Sequence, residues 1–472
     1  MKKVVLRGLQ IALVCLGISF LGIITGFEAS RSVLAVSNSR FEQLELFNKI
    51  LFLIESQYYR PVETEKLMQG AIKGMMETLD PHSAYLPKEV FDKMQDDTSG
   101  EFGGLGIEVT EKDGIFYVIA PMDDSPAFKK DLRPGDKILE IDGEQLLGVD
   151  LQEAVAKMRG KPGSSVTLGI HREGFKEIKQ ITFKREIIRV PPVKSELVGQ
   201  NYIFVRLTSF QKRSAASIES ALKKYQKESQ SKGGIKGIIL DLRSNPGGLL
   251  DEAVAVSSLF LKEGIVVSTE SRDMQNKDIH YVLKTGYKDT ETPMIVLING
   301  ASASASEIVA GALQDHARAI VMGAASFGKG SVQTVAKIDK NNGVKLTIAQ
   351  YMTPKNRKIQ AIGIIPDIEL DEADALWTQR HKTSQLYVRE KDLKNHLTAT
   401  VETENERKIR IKKEKLERTA KIKAYQEQSK EREKEKEDVV VSPQKYQAEN
   451  DYQVIQAVNF LKGLAILQKK GL

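Results

Sequence analysis

Residues 294–313 constrain the fold more than any other part of this sequence. Met294–Ile298 is an uninterrupted apolar run, Asn299 and Gly300 form a turn signal, and residues 308–313 have apolar side chains at helical spacing. Between the turn and the helix stands the run Ser302-Ala303-Ser304-Ala305-Ser306-Glu307. A strand, a tight turn and a helix in this order place one serine hydroxyl at a strand-to-helix junction. There the N–H groups of the helix N-terminus can stabilise a developing anion.

Strand and helix patterns alternate on both sides of this segment. Because alternation of this kind is typical of a buried, largely parallel sheet, it predicts an α/β domain. The predicted strands are 202–205, 235–240, 265–267, 294–298, 319–321, 332–335 and 345–348, and helices are predicted up to Leu222, over 249–261 and after Ser306.

The rest of the chain divides into segments with different patterns of apolar, glycine and charged residues. Helical spacing over 41–96, broken at Asp80-Pro81, predicts a helical region at 36–97, and short strands with glycine turns predict a separate module at 98–185. The α/β core is expected at 186–400. A charged extension follows at 401–442, and a helix that docks on the core is predicted within 443–472.

The N-terminus predicts export. Lys2, Lys3 and Arg7 precede an uncharged stretch from Gly8 to Phe27, which is typical of a signal segment and about long enough to span a bilayer. We therefore expect residues 1–35 to be a signal or membrane anchor. The protein is then held at the periplasmic side of the inner membrane, or released by cleavage after Ala35.

Composition excludes several functions. Cys15 is the only cysteine, so the chain can form neither an internal disulfide nor a cysteine-based zinc site. The net charge of +7 comes from 70 basic and 63 acidic residues, without the basic stripe of a nucleic-acid-binding protein.

Lys329 lies 25 residues after Ser304, in the loop Phe327-Gly328-Lys329-Gly330. A lysine can act as a base towards serine only when it is neutral. Lowering its pKa from ~10.4 to ~7–8 costs about 4 kcal/mol, which burial without a carboxylate partner can supply. The residues beside Lys329 in the sequence contain no acid. The pair therefore predicts a Ser-Lys hydrolase.

Paired glycines provide a second candidate element. Asp241-Leu242-Arg243-Ser244-Asn245-Pro246-Gly247-Gly248 follows a predicted strand, and glycines at such a point let a backbone N–H face a cleft. One such donor in an oxyanion hole contributes roughly 3–4 kcal/mol to transition-state stabilisation.

Two rival chemistries fit less well. None of the six histidines lies in a loop with an acid placed to orient it, so we expect surface or capping roles for them. Residues 323–329 match a phosphate-binding loop up to its lysine. However, Gly330 replaces the Ser or Thr that ligates Mg²⁺, and a strand pattern follows where a helix is required.

Together these motifs resemble those of the carboxyl-terminal processing (tail-specific) peptidases, a family of exported Ser-Lys proteases. The resemblance covers roughly residues 41–400 and implies an α/β (crotonase-like) protease core with an inserted PDZ domain and helical terminal segments. It implies Ser304 as the nucleophile, Lys329 as the base and Gln333 as the residue that orients the lysine. The oxyanion hole would combine the amide of Ala305 with that of either Gly247 or Gly248.

The inserted PDZ domain is also supported by its own residues. Gly104-Leu105-Gly106-Ile107 matches the loop whose amides bind a terminal carboxylate, and Leu132-Arg133-Pro134-Gly135-Asp136 matches the turn before the central strand. Such a module binds an extended C-terminus as an added strand.

The expected function is therefore cleavage, through an acyl-enzyme, of proteins recognised by their C-terminal tails. No metal or other cofactor is required. An adaptor or activator protein and a homo-oligomer are compatible with the family, and nucleic acid is not an expected partner. The alternative is a catalytically inactive PDZ scaffold at the membrane.

Overall fold

The structure is a computed structural model. It describes residues 40–112, 114–122, 124–146, 149–172, 177–272, 277–339, 342–371, 389–393, 396–400, 402–403, 405–413 and 446–469. Among these residues, no helix has both the length and the apolar character that a bilayer crossing requires. The predicted signal or anchor at 1–35 lies outside the described residues.

The chain divides into two compact units at Met76. Helices α1 (40–57) and α2 (Thr64–Glu77) dominate the described part of the first unit. Pro61 lies between them, where a proline interrupts helical hydrogen bonding. Large apolar side chains of α1 are exposed, including Phe41 and Phe52.

The second unit begins with a short strand and a helix and continues into an antiparallel domain. Its main sheet has the order β3-β4-β5-β7-β8, with β6 beside β5, while β2 pairs with β9. Leu105, Phe116, Ile138 and Phe183 belong to its separate core. The elements are β1 (Ala84–Leu86), α3 (Lys88–Ser99), β2 (Glu101–Gly104), β3 (Ile107–Lys112), β4 (Ile115–Pro121), α4 (Pro126–Lys129), β5 (Lys137–Ile141), β6 (Glu144–Gln145), α5 (Leu151–Met158), β7 (Ser165–His171), β8 (Lys179–Lys184) and β9 (Glu186–Arg189).

The α/β core is built on a six-stranded sheet with the order β10-β11-β12-β15-β16-β19. From β11 onwards the neighbouring strands are parallel, and β10 is antiparallel to β11. Because both faces are covered, β12 and β15 are buried at every position. The elements are β10 (Val193–Val198), β11 (Tyr202–Leu207), α6 (Ser214–Ser229), β12 (Gly237–Asp241), α7 (Leu250–Ser258), β13 (Ile265–Ser271), β14 (Lys277–Tyr281), β15 (Met294–Ile298), α8 (Ala305–Asp315), β16 (Ile320–Gly323), β17 (Ser331–Lys337), β18 (Gly343–Met352) and β19 (Ile368–Glu369).

Alternate residues of the parallel strands pack on different helices. On one face, Ile238 and Leu240 join the cluster formed by α6, α7 and α8. On the other face, Ile239 joins the cluster of the final helix, α10 (Tyr452–Lys469), in which Val454 and Leu461 are fully buried. This helix lies within the segment 443–472, for which a helix docking on the core was predicted. Of the charged extension, 402–403 and the helix α9 (405–413) are described.

A second sheet lies beside the core, with the order β1-β18-β13-β14 and with β17 paired to β18. β1 and the hairpin β17–β18 therefore belong to one sheet. In the six-stranded sheet of the α/β core, the loops after β12 and β15 begin at the carboxyl ends of adjacent parallel strands. Such strand ends are where α/β sheets commonly bind ligands. These loops are the predicted glycine and serine segments.

Candidate active site

Ser304 is the residue immediately before α8, at the predicted strand-to-helix junction. Its backbone φ is +55°, a value that non-glycine residues adopt only where the surrounding structure enforces it. Its side chain is partly exposed. The hydroxyl therefore lies at the N-terminus of a helix and is open to a substrate.

The two neighbouring serines have structural roles. Ser302 and Ser306 are fully buried, and their hydroxyls donate hydrogen bonds to the carbonyl oxygens of Leu242 (2.8 Å) and Asn245 (2.9 Å). These bonds connect the serine segment to the glycine loop. Of the three serines in the run, Ser304 alone is accessible to a substrate.

The paired glycines lie against this serine. A Cβ atom on Gly247 would approach Ser304 Cβ to 2.8 Å, and one on Gly248 would overlap the carbonyl of Phe210, so side chains are excluded at both positions. The Gly247 N–H donates to Asn245 Oδ1 at 2.9 Å. Within the described residues, the N–H groups of Gly248 and Ala305 have no acceptor.

Lys329 is held in the loop between β16 and β17. Burial lowers the pKa of its ammonium group and nearby Lys345 lowers it further, while Glu390, Glu307 and Asp80 raise it; the net pKa is below the usual value. In the described part of the chain, no carboxylate pairs with Nζ. Tertiary structure thus brings acids near Lys329 that its sequence neighbours lack, and burial outweighs them.

Glu307 is a site residue that the sequence analysis missed. It is fully buried, and its Oε2 accepts hydrogen bonds from the backbone N–H groups of Ser304 (2.8 Å) and Lys329 (2.9 Å). Its Oε1 accepts from the Ser326 hydroxyl at 2.5 Å and the Gly328 N–H at 2.7 Å. Burial raises the pKa of Glu307 to about 7 although these four donors favour its ionised form. One carboxylate therefore joins the serine segment to the lysine loop. The spacing Ser-x-x-Glu, which is typical of a helix capping box, was the available signal.

Gln333 lies on β17 and does not orient Lys329 in this structure. Its Nε2 donates to Ser331 Oγ at 2.8 Å and to Thr347 Oγ1 at 3.4 Å. Among the described residues, Lys329 Nζ forms a hydrogen bond with neither Gln333 nor Ser304. The lysine–glutamine hydrogen bond that the resemblance implies is not formed between these two side chains here, and the orienting role of Gln333 stays a prediction.

A buried network supports the lysine loop from the other side. The Gly330 N–H donates to Gln360 Oε1, and Gln360 Nε2 donates to Glu390 Oε1 at 2.8 Å. His82 Nε2 lies 2.7 Å from the other oxygen of Glu390. The expectation of surface or capping roles for every histidine was wrong for His82, because the sequence does not show that Glu390 is buried beside it.

The predicted carboxylate-binding loop connects β2 to β3. Leu105 and Gly106 are buried, and in the described part of the protein their N–H groups have no acceptor. Gly106 has a φ of +71° and packs against Ser125, whose hydroxyl donates to the Gly106 carbonyl at 3.1 Å. Gly104 is paired with Glu186, and Ile107 with Pro121. The loop thus presents two adjacent free amide donors at one end of the antiparallel domain.

Three family models match the chain. They are peptidase family S41 at residues 201–370, the PDZ domain at 103–182 and the N-terminal domain of the activating protease CtpB at 26–90. Among solved structures, the photosystem II D1 C-terminal processing protease is 30% identical, with a TM-score of 0.41, over 66% of this chain and 84% of that one.

Curated relatives cover most of the protein. The carboxy-terminal-processing protease of Bartonella bacilliformis is 43% identical over 77% of this chain and 82% of the relative. The carboxy-terminal processing protease CtpA of Bacillus subtilis is 36% identical over 72% of this chain and 71% of the relative. The chain therefore belongs to the carboxy-terminal processing proteases, serine peptidases of family S41 that contain a PDZ domain.

Proposed function

We propose that this protein is an endopeptidase that cleaves through an acyl-enzyme, with Ser304 as the nucleophile and Lys329 as the general base. The observation that carries the proposal is the shared bonding of both residues to Glu307 Oε2, at 2.8 Å and 2.9 Å from their backbone nitrogens. This makes Ser304 and Lys329 neighbours in space, and burial lowers the pKa of Lys329 towards the range that a base requires.

In the proposed reaction, neutral Lys329 Nζ removes the proton from Ser304 Oγ as that oxygen attacks the scissile carbonyl. The tetrahedral oxyanion accepts hydrogen bonds from the N–H groups of Ala305 and Gly248. Gly248 is the better donor of the two glycines because the Gly247 N–H already donates to Asn245 Oδ1. When the intermediate collapses, the lysine ammonium returns its proton to the leaving amine. Water then attacks the ester while neutral Lys329 takes its proton, and the ammonium returns that proton to Ser304 Oγ as the Oγ–acyl bond breaks and the carboxylic acid product leaves.

The decisive experiment compares cleavage of an unfolded protein by the wild type and by Ser304→Ala. The same pair separates the peptidase from an inactive PDZ scaffold, because a scaffold would bind tails equally well in both forms and cleave in neither.

The PDZ domain is proposed to select substrates by their C-terminal tails. We expect a peptide that ends in a small or apolar residue with a free carboxylate to bind at least about tenfold more tightly than the same peptide amidated. The reason is that N–H donors form stronger hydrogen bonds with an anionic acceptor. Binding is measured by fluorescence anisotropy with the Ser304→Ala variant, which cannot cleave the peptide during the measurement. A free-acid peptide with a terminal lysine is the control for sequence selectivity. Equal affinity for the acid and the amide would show that the 104–107 loop is structural.

Export and membrane attachment are proposed from the basic start and the uncharged run 8–27. Cell fractionation is expected to find the full-length protein in the membrane pellet, with its bulk degraded by external protease once the outer layers are opened. A soluble species that starts at Val36 would show release by signal cleavage. Intact protein in the cytosol would contradict export. The match of residues 26–90 to the domain of an activating protease supports a search for an adaptor or activator.

A further inference from the structure

We propose that the far C-terminal end of the chain positions the oxyanion loop, defined here as Asp241–Gly248. The positioning group consists of Tyr446, Asp451 and Gln453, which we name the C-terminal clamp, and it acts through Arg243. This proposal rests on the proposed function, since it assigns the clamp a role in presenting the Gly248 amide.

The contact is a double ion pair on one guanidinium group. Arg243 Nε and Nη2 each donate to Asp241 at 2.8 Å. On the opposite side, Nη1 and Nη2 donate to the two oxygens of Asp451 at 3.1 Å and 2.9 Å. Nη1 also donates to Gln453 Oε1 at 2.9 Å. The planar guanidinium is thus held between a carboxylate at the end of β12 and one from the C-terminal segment.

The pair is shielded from water. Side-chain exposure is 9% for Arg243, 0% for Asp241 and 14% for Asp451. Burial raises the pKa of Asp451, but hydrogen bonds from Arg243 and Tyr446 more than compensate, so the net pKa is lowered and the carboxylate is ionised. Arg206 also faces the group, with its Nη1 3.5 Å from Asp241 Oδ2. Removing one carboxylate would leave a buried cation incompletely paired, which is costly.

A short path connects Arg243 to the amides of the oxyanion hole. Ser244, the next residue, has a φ of +56°, and its N–H donates to Asn299 Oδ1 at 2.9 Å. The carbonyl of Asn245 accepts from the Ala303 N–H at 3.0 Å and from the Ser306 hydroxyl. The loop is therefore fixed to the serine segment at Ser244 and Asn245, and to the C-terminal clamp at Arg243. Both anchors lie within five residues of Gly248.

The clamp can be separated from helix docking. Val454, Ala457, Val458 and Leu461 bury the apolar face of α10 against the sheet, and none of them contacts Arg243 through a polar group. Asp451 Oδ1 also caps α10 by accepting the Val454 N–H at 3.2 Å. Asparagine can accept the same bond, so Asp451→Asn removes the charge of the clamp and keeps the cap, whereas a substitution of Val458 weakens the apolar interface and leaves the clamp in place.

The test uses the full-length chain with Asp451→Asn, a milder Tyr446→Phe and two controls. Tyr446→Phe removes the hydroxyl that donates to Asp451 Oδ2 at 2.9 Å. Glu449→Gln neutralises an acid two residues from Asp451 that lies outside the clamp. Val458→Ala tests simple destabilisation of α10. The readouts are kcat and KM on a peptide, and the rate at which a fluorophosphonate probe labels Ser304, because the phosphoryl oxygen of that probe also requires the oxyanion hole.

Asp451→Asn is expected to lower kcat and the labelling rate by the same factor, about 10- to 50-fold, with KM within twofold of wild type. This loss is smaller than the 10²–10³-fold expected for complete removal of one oxyanion donor. Tyr446→Phe should lose about 2- to 5-fold, and Glu449→Gln and Val458→Ala should stay within twofold. Wild-type rates in a folded Asp451→Asn protein would overturn the proposal, as would an equal loss in Val458→Ala at the same loss of Tm. Failure of the wild type itself to label at Ser304 would instead contradict the proposed function.

Discussion

Replacement of Ser304 by alanine is expected to lower the rate of cleavage of an unfolded protein by at least about 10⁴-fold while leaving the fold intact. Loss of the nucleophile removes the covalent pathway, and only binding and the oxyanion donors remain. Because Ser304 is partly exposed at the start of α8 and its hydroxyl is not part of the buried core, circular dichroism and Tm should be close to those of the wild type. Mass spectrometry of the wild type treated with a fluorophosphonate should place the adduct on Ser304.

The neighbouring serines provide matched controls for this prediction. Ser302→Ala and Ser306→Ala each remove a buried hydroxyl that donates to a backbone carbonyl. Each is expected to lower the free energy of unfolding by about 1–3 kcal/mol and to keep measurable activity. A folded but inactive Ser306→Ala protein beside an active Ser304→Ala protein would show that the nucleophile is two residues away from the proposed one.

The strands that are buried at every position were predictable from the sequence. Met294–Ile298 was identified with its observed bounds, because a strand covered on both faces must be apolar at every position. Edge and hairpin strands were less well bounded: β18 spans Gly343–Met352, but only 345–348 was predicted. The middle of β18 is only partly buried, with Leu346 and Ile348 exposed, and Gly343 at its start has a low strand propensity. Neither burial nor residue type therefore marks where this strand begins and ends. Even so, the α/β core, the antiparallel insert and the C-terminal helix were all expected.

The site was predictable only in part because its support is tertiary. Ser304, the paired glycines and Lys329 stand in recognisable local motifs. In contrast, Glu390 bonds to His82, which is 308 residues away in the sequence, and Asp451 bonds to Arg243, which is 208 residues away. No local pattern marks either contact. Glu307 is an intermediate case, since its capping-box spacing to Ser304 was visible but its second bond, to the Lys329 N–H, depends on how the 324–330 loop folds back.

Replacement of Lys329 by arginine is expected to lower kcat/KM by at least about 10³-fold at every pH, although the positive charge is kept. A guanidinium group cannot lose its proton under working conditions and so cannot act as a base. Arginine would also bury a permanent charge where the native lysine becomes neutral, so Lys329→Met is the control that separates loss of the base from loss of stability. If the arginine variant were active, Lys329 would not be the general base.

The pH dependence follows from the lowered pKa of Lys329. Below that pKa the lysine is protonated, so kcat/KM should rise tenfold per pH unit and level off above it. Stability should also rise with pH between the native pKa and the unfolded value of ~10.4, because the unfolded chain binds the extra proton in that window.

The positive charge of Lys345 contributes to the lowered pKa of Lys329. Lys345→Met should therefore raise the pKa of Lys329 and shift the rate profile to higher pH, while Lys337→Met, which removes an exposed lysine from the same hairpin, should not. An unshifted profile in Lys345→Met would mean that a group other than Lys329 controls the rate.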